Sequence, residues 1–397
     1  MTQLTGSTTT PANYKLLGLD HLRAIAISFV FIYHYGGMFA HPQWIHTIGT
    51  FGWTGVDLFF VLSGYLISSQ LFLKIAKEKS ISFRVFFLKR FFRIIPAYLT
   101  VVTLYFLFPF LREKEGLAPL WKYLTFTQNL ALDVRTQGTF SHAWSLCIEE
   151  QFYLFLPLIL ILLVSIKGIK KGYVLLLLLF IVGFMARLYS WNVLVSPFVA
   201  DENFWVYWHK WIYYPTNCRL DGLLTGVSIA AIFQFRPKIK NTIIQYGNQL
   251  LLAGLVVLTG AYFLCINQSS FNATIFGFPL VSLGYGLMIL GAISPTSFLY
   301  KFDSRVTANI ASLSFALYLT HKMVIHITQE QFSKLNIDKD SSQMFLICVA
   351  TSLLGALIMN RLIEKPFLRL RDKVLYATKA GRPQELVNNG VEEYKLN

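Results

Sequence analysis

Apolar runs nearly free of charge recur along this chain, and no ordinary soluble fold has use for so many. Val174–Val182, Leu250–Ile266 and Phe345–Met359 contain no Asp, Glu, Lys or Arg, and runs of this kind approach the roughly 20 residues that cross a hydrocarbon core as a helix. Hydrophobic residues make up 55% of the 397 positions and charged residues 14%, a balance outside that of soluble domains. The expected fold class is therefore all-α, a polytopic membrane helix bundle. The pattern divides it into about ten transmembrane helices, over residues 17–39, 51–73, 93–111, 149–165, 172–190, 217–235, 246–266, 273–293, 308–329 and 342–363.

A net charge of +15 would fit a nucleic-acid partner, but the Lys and Arg positions fall between apolar segments rather than along one face. That is a topology signal, and no nucleic acid is expected. The basic residues concentrate on the N-terminal side of the bundle: from Lys74 to Arg93, in 167–171, in 236–240 and from Arg361 onward. The positive-inside rule then places both termini in the cytoplasm, in agreement with an even number of spans. The expected organisation is a polar N-terminal tail over 1–16, a transmembrane domain over 17–367 and a cytoplasmic tail over 368–397. No cleaved signal peptide is expected, because the first 13 residues lack Lys and Arg and the apolar stretch after them is too long. Cys147, Cys218, Cys265 and Cys348 show neither CxxC nor metal-ligand spacing, so they read as small packing residues, and no metal is expected.

Ionisable groups inside spans cost about 2.5–3.5 kcal/mol each at a helix centre, so each one needs a partner, a wet cavity or a function. In the first span His34 follows Arg23 by 11 positions, which puts both on one helix face about 16 Å apart, with Asp20 close to the same line. A cation suited to an anion and a titratable base are stacked along one wall. Asp57 opens the second span near the level expected for His34, where a carboxylate can orient an imidazole or simply cap the helix. Arg90 and Arg93 lie one turn apart on the third span and would form a cationic mouth with Arg23, unless they are ordinary anchors. His142, Glu149, Glu150 and Tyr153 are expected together at the outward end of the fourth span, with Glu150 and Tyr153 facing one another. The bland alternative is that the carboxylates serve the helix dipole. Arg219 and Asp221 open the sixth span, and Tyr318 and His321 lie deep in the ninth, where a lone His is also at home as a core residue or proton relay.

Five motifs in order, LDHLRAIA and YH with ten residues between Arg23 and His34, GVDLFFVLSGYLIS, RFFRIIPAY, HAWSLCIEEQFYLFLP and SFALYLTH, are followed by EKPF. Together they make the chain resemble the acyltransferase-3 family of bacterial integral-membrane acyltransferases across roughly residues 17–367. The resemblance implies transfer of an acyl group, commonly acetyl, from coenzyme A to a hydroxyl of a glycan, lipid-linked sugar or secondary metabolite. By position it makes His34 the catalytic histidine, Arg23, Arg90 and Arg93 the donor-facing arginines, and Asp57 and Glu150 supporting acids. His142, Glu149, Tyr153, Arg219, Asp221, Tyr318 and His321 remain acceptor-side or supporting candidates. Two departures stand out: His21 occupies a position usually small, and THK replaces an aromatic pattern around His321. Both are expected to affect the acceptor or the lining. Longer members carry a C-terminal SGNH-type hydrolase domain, for which the residues after the last span are expected to be too few.

The reaction so implied needs a base near neutrality and cationic stabilisation of donor phosphates and developing oxyanion. The expected partners are the lipid bilayer, acyl-CoA as co-substrate with no bound cofactor, and a carbohydrate acceptor, with a homo-oligomer left open. The expected location is the bacterial cytoplasmic (inner) membrane, crossed many times. Trp205, Trp208, Trp211, Tyr213 and Tyr214 are a candidate sugar-stacking surface or an interfacial belt. Two other readings stand beside the enzyme: a proton-coupled transporter, since polar clusters at both ends of one wall also define a path, and a noncatalytic scaffold of the same fold.

Overall fold

The computed structural model describes residues 17–77, 82–168 and 171–380, with side chains placed up to Tyr376. The expected tail over 1–16 and the chain beyond Ala380 lie outside the described residues. Within them all regular structure is helical. Ten helices match the ten apolar segments in order: α1 (Leu17–Met38), α2 (Thr54–Ala76), α3 (Phe83–Leu107), α4 (Trp144–Ser165), α5 (Gly172–Tyr189), α6 (Asp221–Phe235), α7 (Gly247–Leu264), α8 (Phe278–Ala292), α9 (Arg305–Ser333) and α10 (Ser342–Met359). A further helix, α11 (Lys365–Ala380), continues from α10 through a π-helical turn, Asn360–Glu364.

Seven helical segments among the described residues are long and apolar enough to cross a membrane, namely those containing α2, α4, α5, α7, α8, α9 and α10. The shorter α6 is also apolar. Helices α1 and α3, at 22 and 25 residues, have the length. Their apolarity is diluted by Asp20, Arg23 and His34 in one and by Arg84, Lys89, Arg90 and Arg93 in the other. Four of the residues that lower the membrane signal, Arg23, His34, Arg90 and Arg93, are thus candidate functional ones.

Helices α1, α2, α6, α8 and α9 form the centre. Close approach of α2 to α6 depends on glycine: a Cβ on Gly64 would strike the Leu223 carbonyl, and one on Gly226 would strike the backbone of Val61 and Tyr65. Helices α5 and α7 are peripheral and leave Leu177, Leu178, Val182, Leu252, Leu255 and Val256 exposed, as a lipid-facing surface requires. Serine N-caps start α3, α9 and α10, where Ser82, Ser304 and Ser341 accept from Val85, Thr307 and Met344 N–H groups.

Helix α1 runs parallel to α9, and three side-chain bonds set their register. His21 and Thr307 meet at 2.7 Å near one end, His34 and His321 at 2.9 Å further along, and the Gln329 amide donates to the Tyr35 hydroxyl at 3.2 Å near the other. His21 also bonds the Phe302 carbonyl at 2.7 Å. It is a buried stitch between α1 and the start of α9 and lines neither of the cavities described below.

Candidate active site

The α1–α9 seam brings three imidazoles together. The rings of His34 and His321 stack with centroids 5.0 Å apart, and His142 stands edge-on to both, 5.7 Å from His34 and 5.0 Å from His321. Proton positions follow from the hydrogen bonds. His321 Nδ1 lies 3.0 Å and 2.9 Å from the Leu317 and Tyr318 carbonyl oxygens. Those oxygens only accept, so Nδ1 carries hydrogen, and in the neutral ring Nε2 is then an acceptor. The network therefore assigns His34 Nδ1, 2.9 Å from His321 Nε2, as the donor. This leaves His34 Nε2 with a free lone pair. His34 is only half-buried and lines a cavity of about 300 Å³.

That cavity is walled by Trp53, Trp144, Trp205, Tyr213 and Tyr214, and its cations are Lys114 and Lys322. Trp205, Tyr213 and Tyr214 of the expected aromatic surface reach it. Trp208 does not: it is buried and donates to Thr274 at 2.9 Å. Trp211 does not line the cavity either. His209 lines the wall as a neutral ring, since burial pushes it down to about 4. Lys322, fully buried, pairs with Glu113 at 3.1 Å. Burial by itself raises a carboxyl, yet the neighbouring Lys322 ammonium holds Glu113 below its usual range.

A second cavity, of about 140 Å³, lies further down α1 and is lined by Arg23, Arg90 and Arg93 together with Glu149, Tyr153 and Ser63. Arg23 pairs with Asp20 at 3.4 Å, and Arg90 packs over the Tyr153 ring at 5.6 Å. Ser63 and Tyr153 donate to the same Glu149 oxygen, at 2.8 Å and 2.5 Å. The two cavities have no lining residue in common. Between them stands the Tyr318 hydroxyl, which donates to the His142 carbonyl and so accepts from Ser145 Oγ at 2.7 Å.

The structure departs from the expected placements in four respects. Asp57 does not orient His34: both its oxygens accept from Arg219 at 3.0 Å, and the partner of His34 is His321. Glu149 and Tyr153 do not join His142. Seven residues of helix separate them by about 10 Å of rise, enough to carry Glu149 from one cavity to the other. Tyr153 bonds Glu149, one full turn away, rather than Glu150, whose buried Oε1 has no partner among the described residues. Arg219 and Asp221 line neither cavity. Arg219 sits behind the aromatic wall, 4.0 Å from the Phe278 ring centre and 4.9 Å from that of Tyr213, and Asp221 pairs with the buried Arg187 of α5.

Sequence reasoning missed the Glu113–Lys322 pair. A lysine inside an apolar helix was a usable signal, but its partner lies in an irregular segment far away in the chain. The four cysteines are buried and free. Among the described residues no group of His, Cys, Asp or Glu is arranged to hold a metal.

Comparison with known proteins gives a consistent match. The acyltransferase-3 family model, described as an acyltransferase domain, covers residues 16–361. A protein of Staphylococcus aureus strain COL named as a candidate O-acetyltransferase is 31% identical over 380 residues, 90% of this chain and 58% of that protein. The O-acetyltransferase OatA of S. aureus strain NCTC 8325 is 29% identical over 373 residues, 88% of this chain and 57% of that protein. The chain thus spans somewhat over half the length of these curated relatives. No solved structure gives a significant match.

Proposed function

The chain belongs to the acyltransferase-3 family, and from that premise we propose that it is a membrane O-acyltransferase moving an acetyl group from acetyl-CoA to a carbohydrate hydroxyl. In this reading all ten of α1–α10 span the bacterial cytoplasmic membrane and both termini face the cytoplasm, as the distribution of Lys and Arg favours. The arginine cavity then opens to the cytoplasm and receives the donor phosphates, for which Arg23, Arg90 and Arg93 are chemically suited. The histidine cavity takes the acceptor. Its aromatic walls offer flat faces for sugar rings.

One observation carries the reading: the hydrogen-bond chain from the α9 carbonyls through His321 presents His34 Nε2 as a lone pair toward a cavity. A base in that tautomer takes the proton of an acceptor hydroxyl directly. Arg23 on the same helix face lies about 16 Å away, a separation that the extended pantetheine arm of coenzyme A spans.

The test is release of free coenzyme A by purified protein in detergent, given acetyl-CoA and a panel of sugars. Release that requires both an acceptor and His34 is expected. Wild-type turnover by His34→Ala overturns the assignment of the base. Substrate uptake into proteoliposomes without any acyl donor would support transport instead.

A further inference from the structure

His142 takes no part in that proton transfer. It is 2% exposed, both ring nitrogens are buried, and neither has a partner in hydrogen-bond geometry among the described residues. Leaving a buried polar group unpaired costs about 1–3 kcal/mol, so an imidazole with both nitrogens idle is an expensive fixture. It is not loosely placed. The Tyr318 hydroxyl holds its backbone carbonyl, and the rings of Phe140, Tyr318 and His321 pack around it at 5.0, 5.5 and 5.0 Å. It also lines the same cavity as His34, with ring centres 5.7 Å apart.

From this geometry we propose that His142 is the oxyanion donor of the reaction: its ring N–H receives the thioester carbonyl oxygen as negative charge develops there. The proposal rests on the acyltransferase reading given above. In either protonation state an imidazole carries at least one N–H, so the ring always has a donor to offer. Among the described residues the Tyr318 backbone carbonyl is the internal acceptor that acts on the ring, and it falls short of hydrogen-bond geometry. The other donor nearby, Lys322, is committed to Glu113 at 3.1 Å and to Ser141 Oγ at 3.4 Å.

The chemistry balances with the groups present. The acceptor oxygen attacks the carbonyl carbon, its proton passes to His34 Nε2, and the carbonyl electron pair moves onto the oxygen held by His142. Collapse re-forms the carbonyl and breaks the carbon–sulfur bond. The departing thiolate takes the proton from His34, giving ester and free coenzyme A thiol. A preorganised donor aimed at the developing oxyanion typically contributes a factor of roughly 10²–10³ in kcat.

The experiment compares wild type, His142→Ala, His142→Gln and His34→Ala in detergent. It measures coenzyme A release, acetyl-CoA binding, and the infrared carbonyl stretch of bound [1-¹³C]acetyl-CoA without acceptor. His142→Ala is expected to lower kcat by roughly 10²–10³-fold with donor affinity little changed, and to lose the low-frequency shift of the bound carbonyl. His142→Gln, which keeps an N–H donor, should recover part of both. His34→Ala should abolish turnover yet keep the shift. An unshifted carbonyl in wild type, or a shift unchanged in His142→Ala, overturns the proposal. So does a His142→Ala loss confined to acceptor KM. Full turnover by His34→Ala instead refutes the base assignment, so the two failures are distinguishable.

Discussion

Replacing His321 with alanine removes the only hydrogen-bond partner the described structure gives to His34 Nδ1. His321 does not itself line the cavity, so its contribution passes through the tautomer and orientation of His34. The loss is that of one buried hydrogen bond whose donor is left unpaired, about 1–3 kcal/mol, equivalent to roughly 5–150-fold in rate at about 1.4 kcal/mol per decade. The assay is acceptor-dependent coenzyme A release at saturating acetyl-CoA. kcat is expected to fall within that range, with KM for the donor unchanged because the arginine cavity lies beyond the Tyr318–Ser145 partition. The double variant supplies the sharper check. In a His34→Ala background the residual rate should not respond to His321→Ala, since a positioning residue has nothing left to position. Additive losses, or a loss expressed mainly in donor KM, would refute the hydrogen-bond chain as the source of the effect.

Other outcomes follow from the same geometry. Arg90→Ala and Arg93→Ala should each weaken acetyl-CoA binding by roughly 10–150-fold, the equivalent of a charge-assisted hydrogen bond worth about 1.5–3 kcal/mol, as read by isothermal titration. Glu113→Gln strands the buried Lys322 ammonium and should cost about 3–5 kcal/mol in thermal or denaturant stability, whereas the paired change Glu113→Leu with Lys322→Met should recover most of it. Because the folded Glu113 carboxyl is held below its usual range, its stabilisation is complete above the unfolded value near ~4.3 and disappears as the pH falls through the folded one. The stability gap between wild type and Glu113→Gln should accordingly close on acidification, and a constant gap would count against the pair. Gly226→Ala would place a methyl group against the backbone of Val61 and Tyr65, and an overpacking cost of about 1–3 kcal/mol or more is expected in a melting experiment.

Much of the site's inventory could be read without coordinates because hydrocarbon makes ionisable residues expensive. Arg23, His34, Arg90, Arg93, Glu149 and His321 stood out as groups that should not be in a membrane, and all of them line a cavity or touch a residue that does. Helical periodicity on a single segment was enough to set Arg23 and His34 on one face of α1. Where two segments had to be related, local rules failed. Asp57 looked like a partner for His34, but it lies across the α2–α6 contact from Arg219. Glu150 looked like a partner for Tyr153, but the pitch of α4 turns Glu149 toward it.

The amino-acid sequence by itself determined an all-helical membrane chain, the order of its apolar segments and the short set of polar residues that those segments must accommodate. It could do so because helix length, side-chain periodicity and the cost of burying charge are properties of each segment alone. Only the tertiary structure decided which polar groups face one another: His34 with His321, Asp57 with Arg219, Lys322 with Glu113, and His142 without a hydrogen-bond partner among the described residues. Those pairings depend on register and rotation between helices far apart in the chain. Register here is fixed by backbone contacts such as Gly226 on Val61 and by seam bonds such as His21 to Thr307, which no local pattern encodes.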